Sequence, residues 1–272
     1  MKRAIVVLGM FFASMLQAEE ACFLTKGFEP ECTHFPYENR IVLRPILSYL
    51  SIRYRKDVPS ANLPQKYAGM VGGGEVLYER DSYGGLYAFL ESRILSGKLA
   101  QDEPDQGRDA RVFDALAKGC LGCSYLALQG NRLRVSPYVG LGFSYFQEKG
   151  DDLFPYGENQ YLTILLPVGF RLSYRAMDTI SLGFRFEWLP DLDTTTQMGE
   201  ERNLRYVLAT KTNQLFVELP VEFFWAEIFS LEITPFWERR KTGNFAGEFA
   251  SRSIPSTMRT YWGGKLGLAF LF

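Results

Sequence analysis

Among residues that could do acid–base chemistry, the chain has many carboxylates but a single histidine, His34. A hydrolase that pairs serine or acidic residues with a histidine base would have to use that one imidazole. His34 lies upstream of the first segment that alternates like a β-strand, far in sequence from the later acidic clusters. The sequence therefore predicts no catalytic site and an ordinary polar role for His34.

Carboxylates that could bind a metal ion form two clusters. Asp151, Asp152 and Glu158 make up the first, and Asp191 and Asp193 the second. Their oxygen atoms would suit Ca²⁺, but the spacing matches no known calcium loop. The glycine pairs and triplets also lack the spacing of a nucleotide-binding loop. We therefore expect solvated surface charge at these positions, no metal site and no cofactor.

Four cysteines offer two ways of forming a disulfide. Cys22 and Cys32 could close a small loop ahead of the first strand. Cys120 and Cys123 are three residues apart on a predicted strand and so point to opposite faces, which makes a bridge between them awkward. The alternative is that Cys120, on the inward face, tethers the amino-terminal segment through Cys22 or Cys32.

The amino terminus has the plan of a secretory signal peptide. Lys2 and Arg3 precede the apolar run 4–16, and the small residue Ala18 is followed by two glutamates. The apolar run is too short to cross a bilayer as a helix, so cleavage after Ala18 is favoured over an anchor. Residues 1–18 are therefore predicted to be removed from an exported protein, in which disulfides persist.

The charge of the remaining chain excludes one class of partner. Removing two of the 30 basic residues leaves 28 against 31 acidic ones, a net charge of about −3. Nucleic-acid binding requires a basic surface, so nucleic acid is not expected as a partner. Residues 19–38 carry no strand pattern, and we predict that they form a periplasmic amino-terminal segment.

Alternation of apolar and polar residues predicts ten β-strands between residues 39 and 272. In the seventh strand, for example, Leu182, Phe184 and Phe186 lie on one face, and Ser181 and Arg185 on the other. Aromatic residues, 15% of the chain, recur at the ends of the apolar faces, as in the aromatic girdles of membrane barrels. The predicted strands are 40–54, 68–79, 85–95, 111–126, 132–147, 161–174, 179–188, 213–225, 230–239 and 259–272.

The predicted connections alternate between short and long. The short ones follow the second, fourth, sixth and eighth strands, and the long ones follow the odd-numbered strands. Membrane barrels have short periplasmic turns and long extracellular loops. A soluble up-and-down barrel has no reason to lengthen every second connection.

The carboxy-terminal strand carries the clearest family resemblance. Lys265 and Gly267 occupy one face, and Phe270 and Phe272 the other, with an aromatic residue at the very end. This ending resembles the assembly signal of bacterial outer-membrane β-barrel proteins. The resemblance implies an all-β fold, a closed antiparallel up-and-down transmembrane barrel of about ten strands over residues 39–272. Eight or twelve strands are the alternatives, and no subfamily is indicated.

The same resemblance implies a location and partners. It places the protein in the bacterial outer membrane, in contact with membrane lipid and lipopolysaccharide. It also implies recognition by the β-barrel assembly machinery. Oligomeric state is left open by the sequence.

The inward face predicts a narrow lumen lined by both signs of charge. Inward positions on neighbouring strands bring charged residues within reach of one another, which we interpret as a structural network rather than a solute passage. Its core is predicted to be Arg171, Arg185, Glu187, Glu218 and Glu222. Further inward charges are Arg44, Glu75, Glu91, Arg93, Asp114, Lys118, Arg134, Glu232 and Lys265.

The predicted extracellular loops hold aromatic residues in polar sequence. Phe154, Tyr156, Phe245 and Phe249 could contact an extracellular protein or glycan. They could equally pack the loops together or insert into the lipid interface. The sequence thus predicts a non-enzymatic outer-membrane protein with a structural or adhesin-like surface role. A narrow porin or small-solute channel is the alternative, and an outer-membrane hydrolase ranks third.

Overall fold

The computed structural model of the protein describes residues 38–54, 66–82, 85–101, 109–127, 132–150, 158–198, 206–208, 213–243, 245–246 and 256–272. Over these ranges no helix is long and apolar enough to cross a membrane. Fifteen strands form one sheet. They are β1 (Asn39–Tyr54), β2 (Lys66–Asp81), β3 (Leu86–Gln101), β4 (Asp109–Cys123), β5 (Tyr125–Ala127), β6 (Leu133–Lys149), β7 (Glu158–Leu165), β8 (Val168–Met177), β9 (Ile180–Met198), β10 (Tyr206–Leu208), β11 (Asn213–Glu218), β12 (Val221–Ala226), β13 (Phe229–Thr242), β14 (Phe245–Ala246) and β15 (Thr257–Leu271).

These segments build ten barrel strands, because three barrel strands are each made of two segments. β4 and β5 flank Ser124, β7 and β8 flank Pro167, and β11 and β12 flank Pro220. Proline has no N–H to give to the ladder, which explains two of the three interruptions. The short β10 and β14 pair with each other, and β10 pairs with the far end of β9. All ten predicted strands are present.

The sheet closes because its last strand pairs with its first. β15 and β1 run antiparallel from Arg40 opposite Leu271 to Tyr54 opposite Thr257. Asn39 and Phe272 add two backbone hydrogen bonds of 3.0 Å, one in each direction. A closed sheet has no exposed edge to pair with another chain. The predicted closed antiparallel barrel is therefore confirmed.

The rhythm of the connections is also as predicted. The turn at Asp178–Thr179 and the turn at Glu227–Ile228 are short, and they lie at the barrel end that holds Asn39 and Phe272. The strands joined at the other end are separated by longer stretches of chain. By the rule for membrane barrels, the first end is periplasmic and the second extracellular.

Several strands extend further toward the extracellular end than predicted, and β3 and β9 do so most. β3 reaches Gln101 rather than Leu95, and β9 reaches Met198 rather than Trp188. Outward residues in these extensions include Lys98 and Asp193, which are exposed and polar. The apolar alternation used for the prediction stops where the strands leave the lipid, although the hydrogen-bonded ladder continues.

The outside of the barrel is apolar. Trp262 is 60% exposed, Phe272 63% and Leu90 61%, and these residues share the outward face with many other large apolar side chains. On β15, Trp262 and Phe270 are eight residues apart, which is about 20 Å across the membrane for a strand tilted by about 40°. A band of this height with aromatic residues at its borders is the lipid-facing surface of a membrane barrel.

The inside of the barrel holds two apolar clusters and, between and around them, charged residues. Toward the extracellular end, Tyr67, Phe146, Tyr161, Phe216 and Phe236 belong to one buried cluster. Toward the periplasmic end lies a second cluster, which includes Tyr87, Phe89, Tyr138 and Leu271. The interior of the described barrel is therefore packed with side chains, as expected for a barrel of this size.

Candidate functional site

Charged side chains from nearly every barrel strand point into the lumen. Alternate residues of a strand face opposite sides of the sheet. The apolar residues therefore face lipid, and these charged residues, at the positions between them, face the lumen. Ten basic and eleven acidic side chains among the described residues are buried there, so the lumen is almost electrically neutral. They are Arg40, Arg44, Arg93, Lys118, Arg134, Arg171, Arg185, Arg240, Arg259 and Lys265, with Glu75, Glu79, Asp81, Glu91, Asp114, Glu148, Glu187, Glu218, Glu222, Glu232 and Glu238.

The middle of the network joins the first and last strands. Arg44 Nη1 lies 2.5 Å from Glu75 Oε1, and Arg44 Nη2 lies 2.8 Å from Glu232 Oε1. Lys265 Nζ is 2.6 Å from Glu75 Oε2 and also pairs with Glu218. Glu75 and Glu218 are thus each shared, and their carboxylates link residues from β1, β2, β11 and β15.

Arg185 occupies the neighbouring position and binds three carboxylates. Its Nη2 lies 2.8 Å from Glu91 Oε2, its Nε donates to Glu187 Oε1 at 2.9 Å, and its Nη1 donates to Glu218 Oε2 at 3.2 Å. The guanidinium carbon also sits 4.5 Å from the centre of the Phe89 ring, a cation–π contact. The planar fork of arginine suits this arrangement of several acceptors around one cation.

The periplasmic end of the network is centred on Arg40. Its Nε lies 2.5 Å from Glu79 Oε2, and its Nη1 lies 2.9 Å from Glu222 Oε2 and 3.6 Å from Glu232 Oε2. Arg171, on β8, pairs with the other oxygen of Glu79. Since Glu232 also binds Arg44, the periplasmic and middle parts form one continuous set of ion pairs.

The extracellular part of the network spans the lumen. Arg240 Nη1 lies 2.9 Å from Asp114 Oδ1, and the Tyr261 hydroxyl donates to Asp114 Oδ2 at 2.8 Å. Arg93 Nη1 lies 2.7 Å from Glu238 Oε2, and Glu238 also pairs with Arg240. These contacts join β3 and β4 on one side to β13 and β15 on the other.

The five residues predicted as the core of the network are all buried in the lumen, but they do not form one cluster. Arg185, Glu187 and Glu218 are in contact. Arg171 and Glu222 instead turn to Glu79 and Arg40, at the periplasmic end. The shared carboxylates Glu232 of β13 and Glu75 of β2 connect them to the other three.

Several members of the network were missing from the sequence prediction. Arg40, Glu79, Glu238 and Arg240 lie two or more strand positions from inward residues that were identified. Extending the period-two pattern to the ends of β1, β2 and β13 would have found them. All four lie at or next to the ends of the predicted strands 40–54, 68–79 and 230–239.

The extracellular mouth of the lumen carries a polar cluster around Glu148. The Tyr54 hydroxyl donates to Glu148 Oε2 at 2.8 Å, and Asn159 Nδ2 donates to Glu148 Oε1 at 3.0 Å. Arg259 lies over the Phe146 ring, 4.0 Å from its centre, and donates to Thr242 Oγ1 at 2.9 Å. Both carboxylate oxygens of Glu148 thus accept hydrogen bonds, and the cluster forms a polar layer above the apolar one.

The predicted loop residues are only partly described. Phe154, Tyr156 and Phe249 lie outside the described residues. Phe245 opens β14, where it pairs with Leu208 of β10. The structure therefore gives a backbone position for one of the four aromatic residues.

The acidic residues considered for calcium do not come together among the described residues, where no group of three or more metal-binding side chains occurs. Asp151 and Asp152 lie outside the described residues. Asp191 accepts a hydrogen bond from Thr194. Glu158, at the extracellular rim, accepts hydrogen bonds from Gln160 and Gln147, and these bonds hold its pKa below the ordinary value because they stabilise the carboxylate.

The cysteines differ from one of the two predicted arrangements. Cys120 is a buried free thiol, so the predicted tether through Cys120 is wrong. Cys123, at the end of β4, is disulfide-bonded instead. Cys120 packs among the buried apolar residues of the periplasmic half of the lumen, where it behaves as a small apolar side chain. Cys22, Cys32 and His34 lie outside the described residues.

The predicted assembly-signal residues have distinct surroundings. Lys265 and Gly267 face the lumen, where Lys265 holds two carboxylates and Gly267 leaves room beside Val42 and Arg44. Phe270 and Phe272 face outward near the periplasmic border of the apolar band. Phe270 stacks edge-on against Phe229 of the preceding strand, with ring centres 5.2 Å apart.

Comparison with known proteins finds likeness in structure alone. No family model and no curated protein sequence matches the chain. Among solved structures, the outer-membrane protease OmpT from Escherichia coli superposes with a TM-score of 0.51 at 14% identity, covering 86% of this chain and 96% of OmpT. The translocator domain of the autotransporter NalP from Neisseria meningitidis gives a TM-score of 0.45 at 9% identity, covering 100% and 98%. The fold, the closed barrel and its apolar exterior identify the protein as a β-barrel of the bacterial outer membrane.

Proposed function

We propose that the protein is a non-enzymatic outer-membrane barrel that works through its extracellular loops, as a structural or adhesin-like surface protein for an extracellular protein or glycan. The observation that carries this proposal is the ion-pair network across the lumen. Arg240 and Asp114 meet across the lumen, and Arg185 on β9 reaches Glu91 on β3. A barrel so crosslinked presents its loops on a rigid support.

A small-solute channel is disfavoured by the same contacts. A solute would have to pass the Arg240–Asp114 pair and then the Arg185–Glu91 pair, each of which joins opposite walls of the lumen. Separating such buried pairs without new partners costs several kcal/mol per ion. Apolar layers that include Phe146 and Phe216 occupy the space beside them.

An enzyme is disfavoured by the reach of the single histidine. The described chain enters the barrel at Glu38, on the periplasmic side, and four extended residues span at most about 14 Å. β1 alone runs for sixteen residues, roughly 50 Å along the strand. A chain of that length would leave His34 well short of Glu158 and Asp193 at the extracellular rim, which supports a non-enzymatic role. The likeness to OmpT, at 14% identity, concerns the fold only.

A loop deletion tests the binding role. Residues 247–255 lie between β14 and β15, and replacing them with a short glycine–serine linker leaves all described strands intact. We would display the wild type and the deletion variant on cells and probe arrays of purified extracellular-matrix proteins and glycans. A matched deletion of 103–107, which contains no aromatic residue, serves as the control.

The expected result is binding by the wild type and the control, and loss of binding by the 247–255 variant, with the barrel still resisting heat in detergent. Absence of binding by the wild type across the arrays would remove the adhesin-like role. Planar-bilayer recordings provide the second test. We expect no reproducible single-channel steps, and large uniform steps would replace the proposal with the channel.

A further inference from the structure

The outward surface near the extracellular end carries a basic patch, on the opposite face of the sheet from the lumen network. Basic residues project outward from three of four adjacent strands, β13, β15, β1 and β2. The patch, called the outer patch below, consists of Arg53, Lys66, Arg239 and Lys241 above Tyr49, Trp237 and Trp262. The side chains of these residues lie on the outward, lipid-facing side of their strands.

The register of the strands sets these residues in rows. Trp262 is opposite both Trp237 and Tyr49, which forms an aromatic row across three strands. Trp237 and Trp262 are in contact, with ring centres 6.1 Å apart. Two positions higher on β13 is Arg239, and four positions higher are Lys241 and, on β1, Arg53 opposite Lys66. The basic rows thus lie about 7 to 13 Å beyond the aromatic row along the strands.

That height corresponds to the lipid headgroups. Aromatic residues mark the border between hydrocarbon and headgroups in membrane barrels. Side chains one or two rows above this border lie where lipid phosphates lie. Arginine and lysine bind phosphate through charge-assisted hydrogen bonds, and arginine can do so with two N–H groups at once.

The outer patch also has the shape of a site. Tyr49, Arg53, Trp237 and Trp262 help to line a surface depression of about 430 Å³. Four strands span roughly 14 Å, enough for a headgroup that bears more than one phosphate. None of the described outward residues at these four strand ends is acidic.

The rest of the rim differs in charge. On β3, β4 and β6, Lys98, Arg111 and Lys149 also face outward and lie opposite one another. Acidic residues accompany these basic ones, however. The exposed Asp109 is two residues from Arg111 on β4, and Lys149 Nζ is 3.7 Å from Glu158 Oε2. The outer patch is therefore the part of the described rim where positive charge, aromatic rings and a depression coincide.

We propose that the outer patch is a binding site for the phosphorylated sugar headgroup of an outer-leaflet lipid, the lipid A part of lipopolysaccharide. Arg53 and Arg239 bind the phosphates, and the Trp237–Trp262 pair supports the sugar and the upper ends of the acyl chains. The site holds a lipid against the seam where β15 closes on β1. It is independent of any ligand of the loops.

The test compares lipids with and without phosphate on the folded full-length protein in mild detergent. Diphosphorylated lipid A and its dephosphorylated counterpart are titrated, and binding is followed by tryptophan emission and by native mass spectrometry. The variant R53Q/R239Q removes two charges and keeps hydrogen-bonding side chains. R80Q removes an exposed arginine at the periplasmic end of β2 and serves as the control.

The wild type and R80Q should bind diphosphorylated lipid A at least about tenfold more tightly than the dephosphorylated lipid. R53Q/R239Q should lose about tenfold or more in affinity. R53K/R239K, which restores the charges, should recover most of the binding and so separates charge from folding damage. Equal affinity of R53Q/R239Q and the wild type would overturn the proposal. Displacement of the lipid by millimolar inorganic phosphate would overturn the assignment to a lipid.

Discussion

Arg240 on β13 and Asp114 on β4 lie on opposite sides of the barrel, five barrel strands apart in either direction, and their side chains meet with Arg240 Nη1 2.9 Å from Asp114 Oδ1. Asp114 also accepts a hydrogen bond from Tyr261 of β15. One carboxylate on β4 therefore joins β13 and β15 to the opposite wall.

Asp114→Asn should destabilise the barrel by roughly 3 to 5 kcal/mol. The change keeps the shape of the side chain but leaves the buried Arg240 guanidinium without one of its two carboxylate partners. Urea unfolding in lipid vesicles, followed by tryptophan fluorescence, measures the difference. Asp193→Asn, at an exposed carboxylate of β9, is the control and should shift the unfolding midpoint little. Equal midpoints for the two variants would show that the Arg240–Asp114 contact contributes nothing to stability.

The strands could be predicted from the sequence because membrane and lumen impose opposite demands on alternate residues. Leu182 and Arg185 lie on opposite faces for this reason, and both were assigned correctly. The extracellular ends of β3 and β9 could not be predicted. Above the membrane the outward face no longer has to be apolar, so the alternation disappears while the backbone pairing continues.

Ion-pair partners were harder to predict than inward faces. Arg171 was expected beside Arg185 and Glu187, whose strand is its neighbour. It reaches Glu79 instead, on the far side of the lumen. The face of a residue depends on its own strand, whereas its partner depends on the tilt and closure of all ten strands. No local pattern in the sequence contains that information.

Alanine substitution should destabilise the barrel at only one of two adjacent glycines of β15, Gly263 and Gly264. A Cβ at Gly263 would lie 2.4 Å from the Leu47 carbonyl oxygen and 2.8 Å from Phe236 Cε1, whereas a Cβ at Gly264 would meet nothing within 4 Å. Gly263→Ala should cost about 1 to 3 kcal/mol through overpacking, and Gly264→Ala should be nearly neutral. Heat-modifiable gel shifts across a temperature series would measure both, and a larger loss for Gly264→Ala would contradict the packing of the seam.

The free-energy cost of an arginine on the outer wall should depend on its depth in the membrane. Leu266 lies midway between Trp262 and Phe270 on β15 and is 51% exposed on the outward face. Leu266→Arg should therefore cost about 2 to 4 kcal/mol, because this depth is near the centre of the apolar band. Ala100→Arg, on the exposed extracellular end of β3, should cost at most about 1 kcal/mol. Unfolding in vesicles provides the measurement, and similar losses at both sites would mean that the membrane border is placed wrongly.

The thiol chemistry of the protein should separate its cysteines into two kinds. Cys120 is free and only 2% exposed, so a maleimide should label it after denaturation and leave it untouched in the folded barrel. Cys123 is disulfide-bonded, and the remaining cysteines of the chain are Cys22 and Cys32. Mass mapping without reductant should therefore link the Cys123 peptide to a peptide that carries one of these two, and this link would exclude a Cys22–Cys32 bridge. Cys120→Ser should preserve that link and Cys123→Ser should abolish it, whereas a bridge that contains Cys120 would refute the assignment. Because such a link would join the amino-terminal segment to the periplasmic end of β4, its loss should also increase the cleavage of residues 19–38 by added protease.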